Sequence, residues 1–450
     1  MIARPRNPLD RLARIMIRLP AAADPAVSLI VLLDGAVEMA ERCLRAIAAA
    51  DDAVPCETVV LLNDPDPALE KLVRGGTAGG KVVLCRANAG PGVGWNLGAA
   101  VAGGPRLATL HEDSEPDAGW LTPLCETMTE SGAGAVGSRL YNRDGTVQNC
   151  GWVLFSDASN RPIEEMGAPD VVAMSEPTPA DMVSGAAMLL DREAVRAAGG
   201  WDERFHPAIF VDIDISTAIW HQGRPVLSVP ASTVLHQSGA FDRRENSPLS
   251  GPRLRTFLFE RHRDRFLAKW GPSVRGLAPP PVDHEPETIR AAVQAALPHT
   301  RRRAEQVRSG SWKPSGRIQS AERPYSGIPA PVLEQDDGAY AVAAGVEAAL
   351  DVSEREIVND YCRWLVHREE EISDQLVELH ERLHQRQLES AELHAHAVEV
   401  DRQRQELALA LDRIVNSNTW RLGQLIHRIS QRTRKAATRS ALTLRNHDRP

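Results

Sequence analysis

Residues 107–121 read LATLHEDSEPDAGWL, an apolar run that stops on His111, Glu112, Asp113, Ser114 and Glu115. Acids and an imidazole at such a boundary can do two kinds of work. Asp113 or Ser114 can cap a helix whose first turn holds Pro116 and Asp117, since proline is favoured at the first helical position. Alternatively Asp113 holds a divalent cation, because a carboxylate at a strand end offers the hard oxygen that magnesium or manganese accepts. A second pattern, HERLH at 380–384, has the form of a zinc site with His380 and His384 on one helical face. That reading is rejected: Leu379 and Leu383 occupy an apolar seam, and no third ligand follows.

The elements around the first motif follow from periodicity. Short apolar runs at 27–33, 57–62, 81–85 and 106–110 alternate with helical patterns at 40–50 and 94–102, the signature of a doubly wound α/β domain. Ligands of such sheets bind beyond the carboxyl ends of the strands, where HEDSE lies. A helical stretch at 253–270 closes the domain, and residues 272–350, rich in proline, glycine, alanine and arginine, read as a mostly flexible linker with some short helix. From Val358, alternating steps of four and three residues reach Ile414, and thirteen of the seventeen positions visited are apolar. That favours a coiled coil over 351–415 and hence self-association or a partner enzyme, with Arg386, Ser390 and Arg404 weakening its middle; a helical hairpin or broken coil stays open.

The chain has 450 residues, 43% of them hydrophobic, enough for a full core and more than one folding unit. A formal charge of −8 gives no reason to expect nucleic acid as a partner. Its six cysteines include no Cys-x-x-Cys pair, which fits a reducing cytoplasm. Residues 1–26 form an N-terminal extension too broken by arginine for a secretory signal, and no apolar run is long enough to span a bilayer. The tail at 416–450 carries eight Lys or Arg against one acid, with Trp420, Leu422, Leu425, Ile426 and Ile429 largely on one stripe. Two readings stand: peripheral attachment to the inner face of an anionic membrane, or a helix packed on the coil with a disordered basic end.

NAGPGVGWNLGAAVAGGPRLATLHEDSEPDAGWL (88–121) resembles the donor-binding segment of family-2-like glycosyltransferases with the GT-A fold, a Rossmann-like nucleotide-diphospho-sugar transferase domain. SGAAMLLDREAVRAAGGWDERF (184–205) is similar to the acceptor-side stretch of that family. FVDIDISTAIWHQGRPVLSVPASTVLHQSG (210–239) is similar to the segment with its catalytic carboxylate and late histidine. The resemblance implies a GT-A domain over 27–271. It makes Asp113 the last acid of the Asp-x-Asp motif and a metal ligand, with His111 in the place of the first acid. It makes Asp212 the general base, preceded by Val211 where an acid is common, and Asp214 the acid that orients the helix. It makes His236 the second metal ligand, and Ala218 stands where an arginine is frequent. Asn63, with Asp64 as an alternative, fills the base-reading slot, and LLDG at 32–35 replaces the usual motif after the first strand. Asn88, Gly90 and Asn96 are implied donor contacts, although by themselves they could form only a turn and a tight helix start. Gly185, Trp201 and Asp202 are implied on the acceptor side. The start of the tail looks like a terminal motif of bacterial surface-polysaccharide glycosyltransferases.

One base and no second nucleophile imply a single inverting displacement. The expectation is therefore a glycosyltransferase using a nucleotide-diphospho-sugar donor, Mg2+ or Mn2+, and a glycan or lipid-linked acceptor in bacterial polysaccharide synthesis. A rival from another class is a degenerate GT-A domain, marked by His111, Val211 and Ala218, that serves as a coiled-coil scaffold.

Overall fold

The computed structural model describes residues 16–50, 52–163, 174–237, 252–314, 332–336, 340–344, 346–416 and 427–428. It comprises two compact units, Met1–Arg363 and Trp364–Pro450.

The first unit is built on a mixed sheet. Its parallel half contains β1 (Val27–Leu33), β2 (Cys56–Asn63), β3 (Lys81–Cys85) and β4 (Arg106–His111), with β1 between β2 and β4 and β3 beyond β2. All seven residues of β1 are buried. Leu29, Val31 and Leu33 belong to one hydrophobic cluster and Ile30 and Leu32 to the other, so helices cover both faces of the strand, as parallel sheets require. On one side lies α1 (Val37–Ala49), burying Met39, Ala40, Cys43, Leu44 and Ile47. α2 (Pro67–Gly76) leads from β2 to β3. α3 (Gly90–Val101) approaches the sheet too closely for larger residues: a methyl group on Gly94 would lie 2.5 Å from Leu61, and one on Gly98 2.4 Å from Ile30.

The other half departs from the doubly wound pattern expected. After β4 the chain forms the short β5 (Ser114–Pro116), α4 (Leu121–Ser131), β6 (Ala135–Tyr141) and β7 (Val147–Asn149). β8 (Ala187–Asp191) then inserts antiparallel between β4 and β6. α5 (Arg192–Ala198) and α6 (Val211–His221) follow, and β9 (Val226–His236) runs parallel to β6 with an irregularity between Val229 and Thr233. The apolar runs announce strands but not their direction, which the intervening turns and helices decide.

α7 (Pro252–Val274) buries Leu254, Phe257, Leu258, His262, Phe266 and Trp270. Beyond it the expected flexible linker contains α8 (Pro286–Arg308), 23 residues long, which buries Val293, Ala296, Thr300 and Ala304. This helix is anchored by a buried polar contact that composition hides. Asp181 accepts a hydrogen bond from Thr300 Oγ1 at 2.9 Å and pairs with Arg303, whose guanidinium lies 4.0 Å from the Trp220 ring centre. β10 (Val332–Asp336) and β11 (Tyr340–Ala344) form a hairpin that extends the sheet beyond β3. The compact unit thus continues well past the expected boundary at 271.

α9 runs from Val346 to Asn416. Within the first unit Val346, Leu350 and Ile357 are buried, and Arg261 Nε lies 3.2 Å from Asp360 Oδ2. In the second unit Leu393, Val400 and Leu407 are exposed to 70%, 49% and 65%. One helix does not make a coiled coil, which is defined by packing between helices. The stripe Trp420–Ile426 and the residues after Arg428 lie outside the described residues, as does most of the N-terminal extension. No helix among the described residues is long and apolar enough to cross a membrane.

Candidate active site

The chain leaves β4 at His111, turns through Glu112 and Asp113, and re-enters the sheet as β5 against β9. Ser114 pairs with His236, Glu115 with Leu235 and Pro116 with Val234. Gln237 N donates to Asp113 O at 2.8 Å. This pairing joins residues more than a hundred positions apart, and it overturns the helix-cap reading. Residues 114–116 are strand, and the next helix begins at Leu121, whose N–H donates to Asp52 Oδ1 at 3.0 Å.

Single ligand atoms of His111, Asp113 and His236 all lie within 4.8 Å of one another. His236 Nε2 is 3.3 Å from Asp113 Oδ1, a buried oxygen that accepts no hydrogen bond among the described residues. Burial alone would raise the Asp113 carboxyl, but His236 and then His111 draw it below the usual range. Burial pushes the His111 imidazole down to about 4, so near neutrality it keeps a lone pair for a cation. The Trp95 ring stacks on it at 5.7 Å with an interplanar angle of 21°. An orphaned buried carboxylate oxygen facing two imidazoles fits a divalent ion. The nitrogen-rich set suits manganese better than magnesium, which prefers all-oxygen shells. His111, read from sequence as a missing acid, joins this ligand set.

Asp212 stands in the first turn of α6. Its Oδ2 accepts weakly from Gly185 N at 3.4 Å and its Oδ1 from Ile213 N at 3.0 Å. Burial raises its pKa above the usual carboxylate value. Gly185 connects it to the His111–Asp113–His236 cluster: Gly185 O accepts from Thr109 Oγ1 on β4 at 2.8 Å, and a methyl group on Gly185 would lie 2.4 Å from the Trp95 ring. Asp212 and His111 therefore sit around one Gly185–Trp95 contact. Gly185 takes part through its backbone and its lack of a side chain.

The wall beside the first strands is a closed network. Asn63, fully buried, accepts from Ala89 N at 2.6 Å and donates to Asp34 Oδ2 at 3.2 Å and Asn88 Oδ1 at 3.0 Å. Asn88 Oδ1 also accepts from Gly90 N at 3.1 Å. With its amide committed, Asn63 shapes the wall, whereas Asp64 is exposed at the strand end in a left-handed conformation, φ 50°. Glu112 Oε2 accepts from the N–H groups of Asp34 and Gly35 at 2.9 and 2.7 Å, strapping β4 to the loop after β1. Burial, then the charge of Asp34, raises its pKa.

Three expected ligand contacts lie elsewhere. Asn96 brackets the 201–203 loop, exchanging hydrogen bonds with the Trp201 backbone at 2.9 and 3.0 Å and donating to Glu203 Oε1 at 2.8 Å. Trp201 is 0% exposed and packs 5.6 Å from Trp95, so it offers no face to a sugar. Asp202, 1% exposed, is taken by Arg204 and Lys269. An aromatic–acid pair after two glycines reads as a ligand platform in sequence. Here the left-handed Gly199 and Gly200, φ 87° each, turn the pair into the core. Asp214 has Lys269 Nζ 2.8 Å away and accepts from Trp270 Nε1 at 2.7 Å, contacts that tie α6 to α7. Ala218 and Val211 are core residues.

Sequence reasoning missed Glu112, Lys269 and Gln148, whose Oε1 is 2.7 Å from His236 Nδ1. The alternation of strand side chains, which puts i and i+2 on one face, could have grouped His111 with Asp113. Nothing local marks Gln148.

The family model described as Glycosyl transferase family 2 matches residues 30–198, which hold most of β1, all of β2 through β8 and two of the three clustered ligands. The O-antigen biosynthesis protein RfbC of Myxococcus xanthus is 28% identical over 159 residues, 34% of this chain and 12% of that protein. The uncharacterized protein y4gI of Sinorhizobium fredii (strain NBRC 101917 / NGR234) is 26% identical over 184 residues, 39% of this chain and 19% of that protein. The matched stretches thus span less than a fifth of either relative. Among solved structures, GalNAc-T7 with UDP, GalNAc and Mn2+ aligns with a TM-score of 0.41 and 17% identity, over 64% of this chain and 58% of that one. The mannosyltransferase PcManGT from Pyrobaculum calidifontis in complex with GDP-Man and Mn2+ aligns at 0.38 and 16%, over 67% and 80%. With the mixed sheet and the ligand cluster, the family match over residues 30–198 supports a GT-A-like, family-2-related glycosyltransferase fold for that part of the chain.

Proposed function

We propose that the first unit transfers a hexosyl or deoxyhexosyl group from a nucleotide-diphosphate donor to a hydroxyl of a glycan or lipid-linked acceptor, with inversion. The observation that carries this is the His111–Asp113–His236 cluster linked to Asp212 through the Gly185–Trp95 contact. A divalent ion held there, Mn2+ foremost, would supply Lewis-acid neutralisation of charge on the departing diphosphate. His111, neutral and stacked on Trp95, presents a fixed lone pair, and Asp113 presents an oxygen with no competing donor. Asp212 accepts the proton of the attacking hydroxyl, and burial raises its basicity for that purpose. With one base and direct attack, the anomeric configuration inverts. Asn63, Asn88 and the Glu112 strap hold the wall against which the nucleotide lies, and Asp64 lies exposed at the end of the adjoining strand.

A role in bacterial surface-polysaccharide synthesis is supported by the name of the M. xanthus relative. The exposed, seven-spaced Leu393, Val400 and Leu407 support pairing of the second unit with another copy as a coiled coil. Analytical ultracentrifugation should show a dimer or higher state that Leu393→Asp plus Leu407→Asp dissociates; a monomeric wild type would exclude it. The basic tail would hold the protein at the cytoplasmic face of an anionic membrane, which flotation with phosphatidylglycerol vesicles tests. For the reaction itself, a panel of nucleotide-sugars is scanned for Mn2+-dependent transfer or hydrolysis. Asp212→Asn should keep donor binding and lose turnover. Full activity in that variant would remove Asp212 as the base, and no Mn2+-dependent nucleotide binding in the wild type would favour a scaffold.

A further inference from the structure

His236 can serve as a ligand through Nε2 only if its proton resides on Nδ1, and the hairpin between β6 and β7 contains a hydrogen-bond chain that dictates this. The chain starts at Asp144, a carboxylate that in its ionised form can only accept. Thr146 N donates to Asp144 Oδ1 at 3.0 Å, and the Thr146 hydroxyl donates to the same oxygen. With its proton so directed, Thr146 Oγ1 has a lone pair for Asn142 Nδ2, which donates to it at 3.2 Å. Asn142 then turns its carbonyl to Gln148, whose Nε2 donates to Asn142 Oδ1 at 3.0 Å. A second anchor gives the same orientation independently: Gln148 Nε2 also lies 3.3 Å from the backbone carbonyl of His236, another group that only accepts. Both fix Gln148 with its oxygen toward the imidazole, 2.7 Å from Nδ1. An amide oxygen cannot donate, so Nδ1 must carry a proton; in the neutral ring the lone pair then resides on Nε2, 3.3 Å from Asp113 Oδ1, where a cation shared with that carboxylate would take it.

We infer that Gln148 is a positioning residue that sets the tautomer and ring orientation of His236 through the directed chain Asp144–Thr146–Asn142–Gln148, and thereby the cation affinity of the His111–Asp113–His236 cluster. This rests on the metal-binding reading under Proposed function and adds residues to it. The proton order belongs to the metal-free protein and can be measured without any ion, so the two can fail separately. Partners on the far ring nitrogen of a ligating histidine are typically worth about 10–100-fold in metal affinity.

The experiment uses the full chain and three proteins: wild type, Gln148→Met and Gln148→Glu. The methionine removes the acceptor at similar volume, and the glutamate keeps an acceptor opposite Nδ1. Long-range 15N–1H correlation on metal-free protein, with His236 assigned by its loss in His236→Gln, reads the tautomer. Mn2+ alone, titrated by electron paramagnetic resonance, reads the affinity. Expected are an Nδ1–H imidazole in wild type and Gln148→Glu, a shift toward Nε2–H in Gln148→Met, and Mn2+ binding weakened about 10–100-fold in Gln148→Met only. An Nε2–H His236 in the wild type, or a Gln148→Met variant with unchanged tautomer and Mn2+ affinity, overturns the inference. A wild type that shows the Nδ1–H signal but binds no Mn2+ upholds the proton order and overturns the metal reading instead.

Discussion

Replacing Lys269 by methionine should destabilise the first unit by about 3–5 kcal/mol near neutral pH, the range found when one partner of a buried ion pair is removed. The Lys269 side chain is 13% exposed, whereas those of Asp214 and Asp202 are 2% and 0% exposed. Burial alone would depress the ammonium, but Asp214 and then Asp202 hold it above its ordinary value. After the substitution Asp202 keeps Arg204, 2.5 Å away, while Asp214 keeps only the Trp270 indole at 2.7 Å. The uncompensated charge therefore falls on Asp214, whose pKa burial already raises. A carboxyl with a raised folded-state pKa contributes stability that is present below its unfolded value and lost as pH rises through the folded value. The deficit of Lys269→Met should accordingly be small near about pH 5 and grow toward about pH 8. Urea unfolding at both pH values measures it. The double variant Lys269→Met, Asp214→Leu should recover most of the loss, since a buried pair replaced by apolar groups is often neutral. Turnover should fall in the single variant, because Asp214 shares the first turn of α6 with Asp212. A cost below about 1 kcal/mol, no pH dependence, or a double variant as unstable as the single would refute this view of the clamp.

Other expectations follow from the same contacts. Glu203 is raised from 4.5 to about 7, by burial first, so its stability contribution is lost as pH rises across that window, at most roughly 3 kcal/mol; Glu203→Gln should flatten that part of the stability–pH curve. Asp212→Asn should abolish transfer yet raise stability at neutral pH and lose that advantage in acid, because burial disfavours the charged carboxylate; equal stability at both ends would contradict its raised pKa. Gly90→Ala should cost about 2 kcal/mol or more, since φ is +61° and the added methyl would lie 2.1 Å from the Pro207 carbonyl oxygen; an unchanged melting curve would argue against this packing.

How much of this could be read from the sequence depends on the range over which each feature is encoded. The runs at 27–33 and 81–85 announce buried strands because both faces are covered, and each is observed where its apolar residues lie. Asp113 and His236 stand out as candidate ligands through motif resemblance, yet what joins them is the β5–β9 pairing, and β5 is a three-residue strand with no periodicity to detect. The family resemblance places Trp201 and Asp202 on an acceptor surface, and as letters an exposed and a buried aromatic–acid pair look alike. Only the Lys269 ammonium, brought from α7, reveals the second. α8 was hidden for a related reason: its buried stripe holds alanines, a valine and a threonine, and its anchoring Arg303 sits in a run of arginines that reads as solvated.

The most direct measurement is a Mn2+ titration of the metal-free full chain by electron paramagnetic resonance, repeated with Asp113→Ala and with His236→Ala and followed by a nucleoside diphosphate. Saturable binding is expected in the wild type, weakened by at least about tenfold in each variant, with nucleotide affinity rising when Mn2+ is present. Equal Mn2+ binding in all three proteins, or nucleotide binding indifferent to the ion, would contradict a metal-assisted sugar transfer at this cluster.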